Sequence, residues 1–399
     1  MKSALSFGSS RVGLRGVVCF LVLLYGLATV LLPVFMLNKL VFLPLFLISM
    51  CVFVSRPIKI FAPVLVFSIF FYGFWLGGFY DADSHLARQI LLASSSLFLI
   101  YVISEFRVDM GYVVKVVGAL FALVMCAFSF SLMIAPASYF SQLVLGFYMD
   151  NNLGFYGVRD FGGVNMFMLH HRSSPFLLLP LSIFFLDFLN TRKVVPASLV
   201  LVVMLAIICS ASRGLMVMAL ITLFALYFHR KSWSVRLLML LALVPVLVFT
   251  LHYLVTHTNV LSATEVSNGT KIGHFMSFFE ALDWKMLIFG NGLGSYFYSQ
   301  GYERLVSQTE ITWLDSIRYF GLPLSIILFV VILFPRSRFL KSLELSSSRL
   351  IMFMYLLISL SNPVLFNSFG FFVILWYWSV VMRVEQPFRN LAGARRRVE

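Results

Sequence analysis

At 399 residues, with 61% hydrophobic and 12% charged side chains, the chain is too apolar for a soluble core and reads as a polytopic membrane protein. Its formal net charge of +14 would suit nucleic acid if gathered on one face, but it is spread over loops, which argues against nucleic-acid binding. The four cysteines, Cys19, Cys51, Cys126 and Cys209, all lie in apolar runs without CxxC or Cys/His spacing, so neither a disulfide framework nor a metal site is expected.

Taken in chain order, the apolar runs predict twelve membrane-spanning helices, the first six at about 16–33, 39–55, 60–79, 90–104, 112–134 and 174–189. The others fall at about 194–211, 214–228, 236–254, 317–334, 350–366 and 368–382. The first run follows basic residues but is long for a signal-peptide core and lacks a small-x-small cleavage site, so it reads as a helix that stays. Several runs are short for a 30 Å hydrocarbon core, which implies tilt or burial among neighbours. The fold class is therefore an all-α polytopic membrane protein, a single integral domain over 1–399 without internal repeats.

Lys and Arg fall on alternate loops. One set holds 21 of the 30 basic residues, from Lys2, Arg11 and Arg15 to the Arg395–Arg397 tail, against about 6 acidic ones. The other set holds 9, namely Lys39, Arg88, Arg159, Arg172, Arg213, Lys271, Lys285, Arg304 and Arg318, against 10 acidic ones. By the positive-inside rule the first set is cytoplasmic, and both termini with it. The basic tail is suited to anionic lipid head groups. Two long polar loops, about 135–173 and 255–316, then face outward, and loops of that length usually carry function.

The first outward loop contains Arg159-Asp160 and His170-His171-Arg172. Adjacent histidines point in different directions and make a poor metal pair, so interfacial polar residues are the favoured account. In the second loop, Ser267-Asn-Gly-Thr270 predicts a turn with Thr270 as a helix N-cap. Ile272, Phe275, Met276, Phe279, Leu282 and Met286 then recur at helical spacing, with Lys271, His274 and Ser277 together on another face. That pattern predicts an amphipathic helix on the outer membrane face. Phe289-Gly-Asn-Gly-Leu-Gly294 follows as a tight turn, open either to a ligand or to the role of plain connector.

Two residues stand out chemically. Arg213 sits in Cys209-Ser-Ala-Ser-Arg-Gly-Leu215, the one break in a long apolar stretch, and should cap a tight outward hairpin. Its planar fork suits phosphate, while snorkelling at the head-group level explains it equally well. Glu310 opens the segment leading into the tenth helix and reads either as a helix-start acid or as a carboxylate able to take a proton from a sugar hydroxyl. Asp315 and Arg318 are spaced to pair with each other.

Ser212-Arg213-Gly214, the glycine turn from Phe289 to Gly294, Glu310, and Phe320-Gly-Leu-Pro323 together resemble the bacterial O-antigen polymerase and ligase superfamily. The motif resemblance covers about residues 205–325, and the architecture nearly the whole chain. It implies a polyprenyl-pyrophosphate-linked oligosaccharide as donor, with no nucleotide sugar, metal or other cofactor. Attack by a sugar hydroxyl on the anomeric carbon would expel polyprenyl pyrophosphate. Arg213 takes the place of the family's pyrophosphate-binding arginine, and Lys271 that of a basic residue early in the late loop. O-antigen ligases carry a His where this chain has Glu310, which points to a polymerase of the Wzy type. The catalytic candidates are thus Glu310 and Arg213, with Lys271, His274, Arg318, Arg159 and Arg172 as substrate-binding candidates. A chain-length regulator and a flippase are candidate partners, and the setting is the bacterial inner membrane with the site facing the periplasm. The alternatives are an O-antigen ligase and, from another class, a transporter or lipid-linked sugar flippase.

Overall fold

The computed structural model describes residues 3–33, 36–55, 61–160, 165–257, 266–335 and 343–395. Of the residues that argue orientation, Lys2, Arg56, Lys59, Arg336, Arg338, Lys341, Arg396 and Arg397 lie outside that set.

The elements in order are α1 (Ser3–Leu31), α2 (Leu37–Ser55), α3 (Ala62–Gly77), α4 (Ser84–Ser95), α5 (Ile100–Glu105), α6 (Met110–Ile134), α7 (Tyr139–Asp150), β1 (Gly154–Asp160) and β2 (Asn165–His171). They continue with α8 (Leu178–Thr191), α9 (Val194–Cys209), α10 (Arg213–His229), α11 (Trp233–His257), α12 (Val266–Ala281) and α13 (Trp284–Phe289). The last are β3 (Phe297–Ser299), β4 (Arg304–Val306), α14 (Thr312–Leu333), α15 (Leu343–Ile358) and α16 (Ser368–Arg395). Helix thus falls within each of the twelve predicted ranges, although over 350–366 only as far as Ile358. Among the described residues, six helical stretches are long and apolar enough to cross a membrane: Gly13–Leu31, Leu37–Ser55, Ser84–Glu105, Met110–Ile134, Ser174–Thr191 and Thr312–Leu333.

The core is organised around α16. Phe371, Phe372, Val373, Ile374, Tyr377 and Trp378 cover every side of that helix and all are buried, as expected of a helix apolar all round. It touches α1, α4, α5, α6 and α15. The helix expected over 350–366 is displaced toward the N-terminus. It ends at Ile358, and the segment to Asn367 is a chain of turns. Pro363 disfavours helical geometry at Asn362 and supplies no N–H, so the apolar Val364, Leu365 and Phe366 are buried without being helical.

Helix α14 is broken. Gly321 has φ 76° and ψ 164°, and Pro323 follows it. The break costs Arg318 and Tyr319 the N–H partners their carbonyls would have four residues on: the non-helical Gly321 takes Leu322 out of register, and Pro323 has no N–H to give. The glycine turn replaces them. Asn291 N–H donates to Arg318 O at 2.7 Å, and Gly292 N–H to Tyr319 O at 3.1 Å. On its other side Leu293 N–H donates to Gly73 O at 2.7 Å, so the turn is a splice between α3 and α14. This favours the connector reading of Phe289–Gly294 over direct exposure to a ligand. Gly292 has φ 86°, and a Cβ there would overlap the backbone nitrogen of Gly77. Gly292→Ala is therefore expected to destabilise the fold by about 2 kcal/mol or more, combining the left-handed penalty with a backbone clash. A thermal melt of the purified variant checks this, and an unchanged melting temperature would contradict the splice.

The two long polar loops are more structured than expected. The first holds α7 and an antiparallel hairpin running from Gly154 opposite His171 to Asp160 opposite Asn165. In the second, α12 begins at Val266, so Ser267–Thr270 is helical and Thr270 is no N-cap. Tertiary contact overrides the local turn preference, because Gly301 packs its backbone against Thr270 O and against Gly273. The predicted faces separate within α12: His274 and Ser277 are buried, while Ile272, Phe275, Met276 and Phe279 are exposed. The stripe does not run on to Leu282 and Met286, because α12 ends at Ala281 and Met286 is buried on α13.

Candidate functional site

Glu310 lies two residues before α14, ahead of the N-cap Ile311, so it is not a helix-start acid. The N-terminal part of α14 is closed instead by Asp315, whose carboxylate accepts from Thr309 N–H at 2.9 Å and from Arg318 Nη2 at 2.9 Å. The Asp315–Arg318 pair expected from spacing is therefore present, with both side chains almost fully buried. Arg318 also donates to the carbonyls of Ser295 and Ser307, and its guanidinium lies 4.3 Å from the Phe297 ring centre. Its visible work is to tie the late loop to α14; as a candidate for substrate binding it sits beneath the surface, not on it.

Above this pair the half-buried Glu310 accepts a hydrogen bond from the Tyr302 hydroxyl at 3.1 Å. Tyr302 belongs to the turn between β3 and β4, where its N–H donates to Ser299 O at 3.2 Å. The His274 ring meets the Tyr302 ring edge-on, with centroids 4.7 Å apart. Its Nδ1 is 2.7 Å from Ser299 Oγ, and the residue is completely enclosed. Burial first, then the charges of Arg318 and Lys271, lower the His274 pKa to about 4, so the ring is neutral at neutral pH. Lys271 lies one helical turn earlier on the same face, half-buried, with Nζ 3.5 Å from Ser267 Oγ. Four sequence candidates, Lys271, His274, Glu310 and Arg318, thus converge.

A second group forms at the turn between α9 and α10. Arg213 is the first residue of α10, as the hairpin reading expected, and Ala211 in the turn has φ 45°. Arg159, from β1, donates to Ala211 O at 3.3 Å. His170 stacks on Phe155 with centroids 4.8 Å apart and faces the Ser210 backbone; burial, helped by Arg159, lowers its pKa to about 4. His171 points the other way, as strand alternation demands. Its Nδ1 accepts from Ser173 N–H at 3.0 Å, and its Nε2 donates to Leu31 O at 3.3 Å. Both histidines are thus built into the architecture and are not simple interfacial groups. Arg172 is exposed beyond the hairpin's end, its N–H donating to Leu153 O, and contributes to neither group.

The two groups share one neighbour, the turn that follows α15. Thr312 N–H donates to Ser359 O at 3.1 Å and Thr312 Oγ1 to Asn362 O at 3.1 Å. A Cβ at Gly214 would lie 3.6 Å from Ser361 Oγ and 3.7 Å from Asn362 Nδ2. Thr312, two residues after Glu310, and Gly214, next to Arg213, therefore both meet Ser359–Asn362. The sequence reading overlooked this turn because it was taken for helix. It also overlooked Tyr302, whose signal was a Gly-containing hairpin between short β segments, Phe297-Tyr-Ser and Arg304-Leu-Val.

Chemically, the arrangement offers a carboxylate held by a phenol that packs on His274, one helical turn from the Lys271 ammonium, and a second group with the guanidinium of Arg159 at the α9–α10 turn. No protein-family model matches the chain, and no solved structure matches it. Over 186 residues the chain is 26% identical to an O-antigen polymerase of Shigella flexneri, a stretch that covers 45% of this chain and 46% of that protein. Less than half of each protein is thus compared, and what can be said is that this is a helical membrane protein with a distant likeness to an O-antigen polymerase.

Proposed function

We propose that the chain is a bacterial inner-membrane glycosyltransferase of the Wzy type, joining polyprenyl-pyrophosphate-linked repeat units of O-antigen, capsule or exopolysaccharide at the periplasmic face. The carrying observation is the Glu310 carboxylate, bonded to Tyr302, whose ring packs on His274 one helical turn from Lys271, while the segments that carry Glu310 and Arg213 both meet the Ser359–Asn362 turn. The likeness to the Shigella flexneri protein supports the same reading. In this reading the twelve helices are twelve crossings with both termini cytoplasmic, supported by the alternation of basic residues. The exposed apolar sides of α7 and α12, which carry Phe140, Leu143, Phe275 and Phe279, rest in the outer leaflet.

The reaction follows from the charges. The acceptor hydroxyl oxygen attacks the anomeric carbon of the donor while the bond from that carbon to the pyrophosphate oxygen breaks. Glu310 takes the hydroxyl proton, and the departing polyprenyl pyrophosphate is met by positive charge fixed in place beforehand. Arg213, at the N-terminus of α10, offers that charge together with the first-turn N–H groups of its helix. Lys271 adds a point charge, and Arg159 reinforces the α9–α10 turn.

The test is a deletion strain examined for surface glycan. Loss of long chains, with a single repeat unit still attached, is expected of a polymerase. Complete loss of attached glycan would indicate a ligase or flippase and would reject the proposal.

A further inference from the structure

We infer that Tyr302 is a positioning residue for this reaction, orienting the Glu310 carboxylate so that its second oxygen, Oε2, meets the incoming sugar hydroxyl; the inference rests on the polymerase reading above. The hydroxyl of Tyr302 bonds Oε1, at 3.1 Å, which fixes one oxygen and leaves Oε2 outside that bond. Burial and the adjacent Glu310 carboxylate raise the Tyr302 pKa, so the phenol stays protonated and acts as a donor. The ring itself is held. The His274 ring stands against it at an interplanar angle of 77°, and Ser299 both bonds His274 and accepts the Tyr302 N–H. His274 Nε2 is buried without a partner, so the polar Nδ1 contact with Ser299 alone sets that ring's orientation. A neutral imidazole in this place supports the phenol by packing and does not compete as a cation for the carboxylate.

A glutamate on a loop ahead of a helix has three side-chain torsions to hold, and catalysis needs the reacting oxygen within hydrogen-bond reach of the proton. Removing one hydrogen bond to a charged group is expected to cost about 10-fold in rate. The experiment uses the full chain in lipid nanodiscs, with polyprenyl-pyrophosphate-linked repeat units extracted from the deletion strain as donor. Tyr302→Phe should lower kcat about 10-fold while KM stays within about 2-fold, because the lost bond touches the base and not the substrate. In a Glu310→Gln background the same substitution should have no further effect. If Glu310→Gln is inactive but Tyr302→Phe keeps its normal kcat, the positioning role is wrong and the polymerase site stands. An equal loss in both backgrounds also overturns it, since Tyr302 would then act elsewhere. If Glu310→Gln itself runs at the normal rate, the reading of the site fails and the inference with it.

Discussion

Glu310→Gln is expected to slow the joining of lipid-linked repeat units by about 10²–10⁴-fold, the usual contribution of a general base. Gln keeps the size of the side chain and can still accept from the Tyr302 hydroxyl, so the loop should keep its shape. What is lost is the ability to take a proton. The measurement is single-turnover rate with purified donor, alongside a melt showing that the variant is folded. Asp315→Asn provides the contrast. Asp315 is buried against Arg318 and caps Thr309 N–H, so its replacement leaves a buried guanidinium unbalanced, at a cost of about 3–5 kcal/mol. It should therefore fail by loss of folded protein. A Glu310→Gln enzyme of normal rate would move the base to Asp315 or His274.

The second large effect is expected at Arg213. Arg213→Ala should reduce the rate by about 10²–10³-fold, as removal of a preorganised donor to a developing anion does elsewhere. Arg213→Lys should recover little, because a planar bidentate fork becomes a single point charge. The position supports this. Arg213 begins α10, so its charge and the positive end of the helix dipole act at the same end, and the next residue, Gly214, lies beside Ser361 and Asn362. The assay is the same polymerisation reaction, with membrane protein levels quantified in parallel. Full activity in Arg213→Ala at normal abundance would leave the residue as an interfacial anchor and remove the pyrophosphate contact from the proposal.

Much of the helical layout was legible because it follows from burial alone. A run of apolar residues must hydrogen-bond its backbone internally, so membrane helices were expected at twelve places; helix falls in each of those ranges, and six of the described stretches are long and apolar enough to cross. The same logic located Arg213 at the mouth of α10 and paired Asp315 with Arg318, since i, i+3 proximity is local. Where composition and conformation part, the reading failed. Val364, Leu365 and Phe366 are as apolar as any helix residue, yet the Asn362-Pro363 step keeps them in turns. Ser267–Thr270 has turn composition, yet it is helical where Gly301 packs on it.

The sequence by itself determined the apolar helices, the alternation of basic loops, and the residue types capable of glycosyl transfer chemistry. Each is set by a one-dimensional property, hydropathy, charge order or side-chain type, that needs no knowledge of neighbours. Only the tertiary structure decided which of those residues meet. Tyr302 reaches Glu310 through a β-hairpin, and the glycine turn serves the broken α14 by lending N–H groups to the Arg318 and Tyr319 carbonyls. Gly214 and Thr312, nearly a hundred residues apart and neighbours of Arg213 and Glu310, meet one turn that belongs to neither α10 nor α14. The physical reason is that hydrogen bonds and close backbone packing between distant segments depend on which helices lie side by side, and no periodicity in a single segment records that.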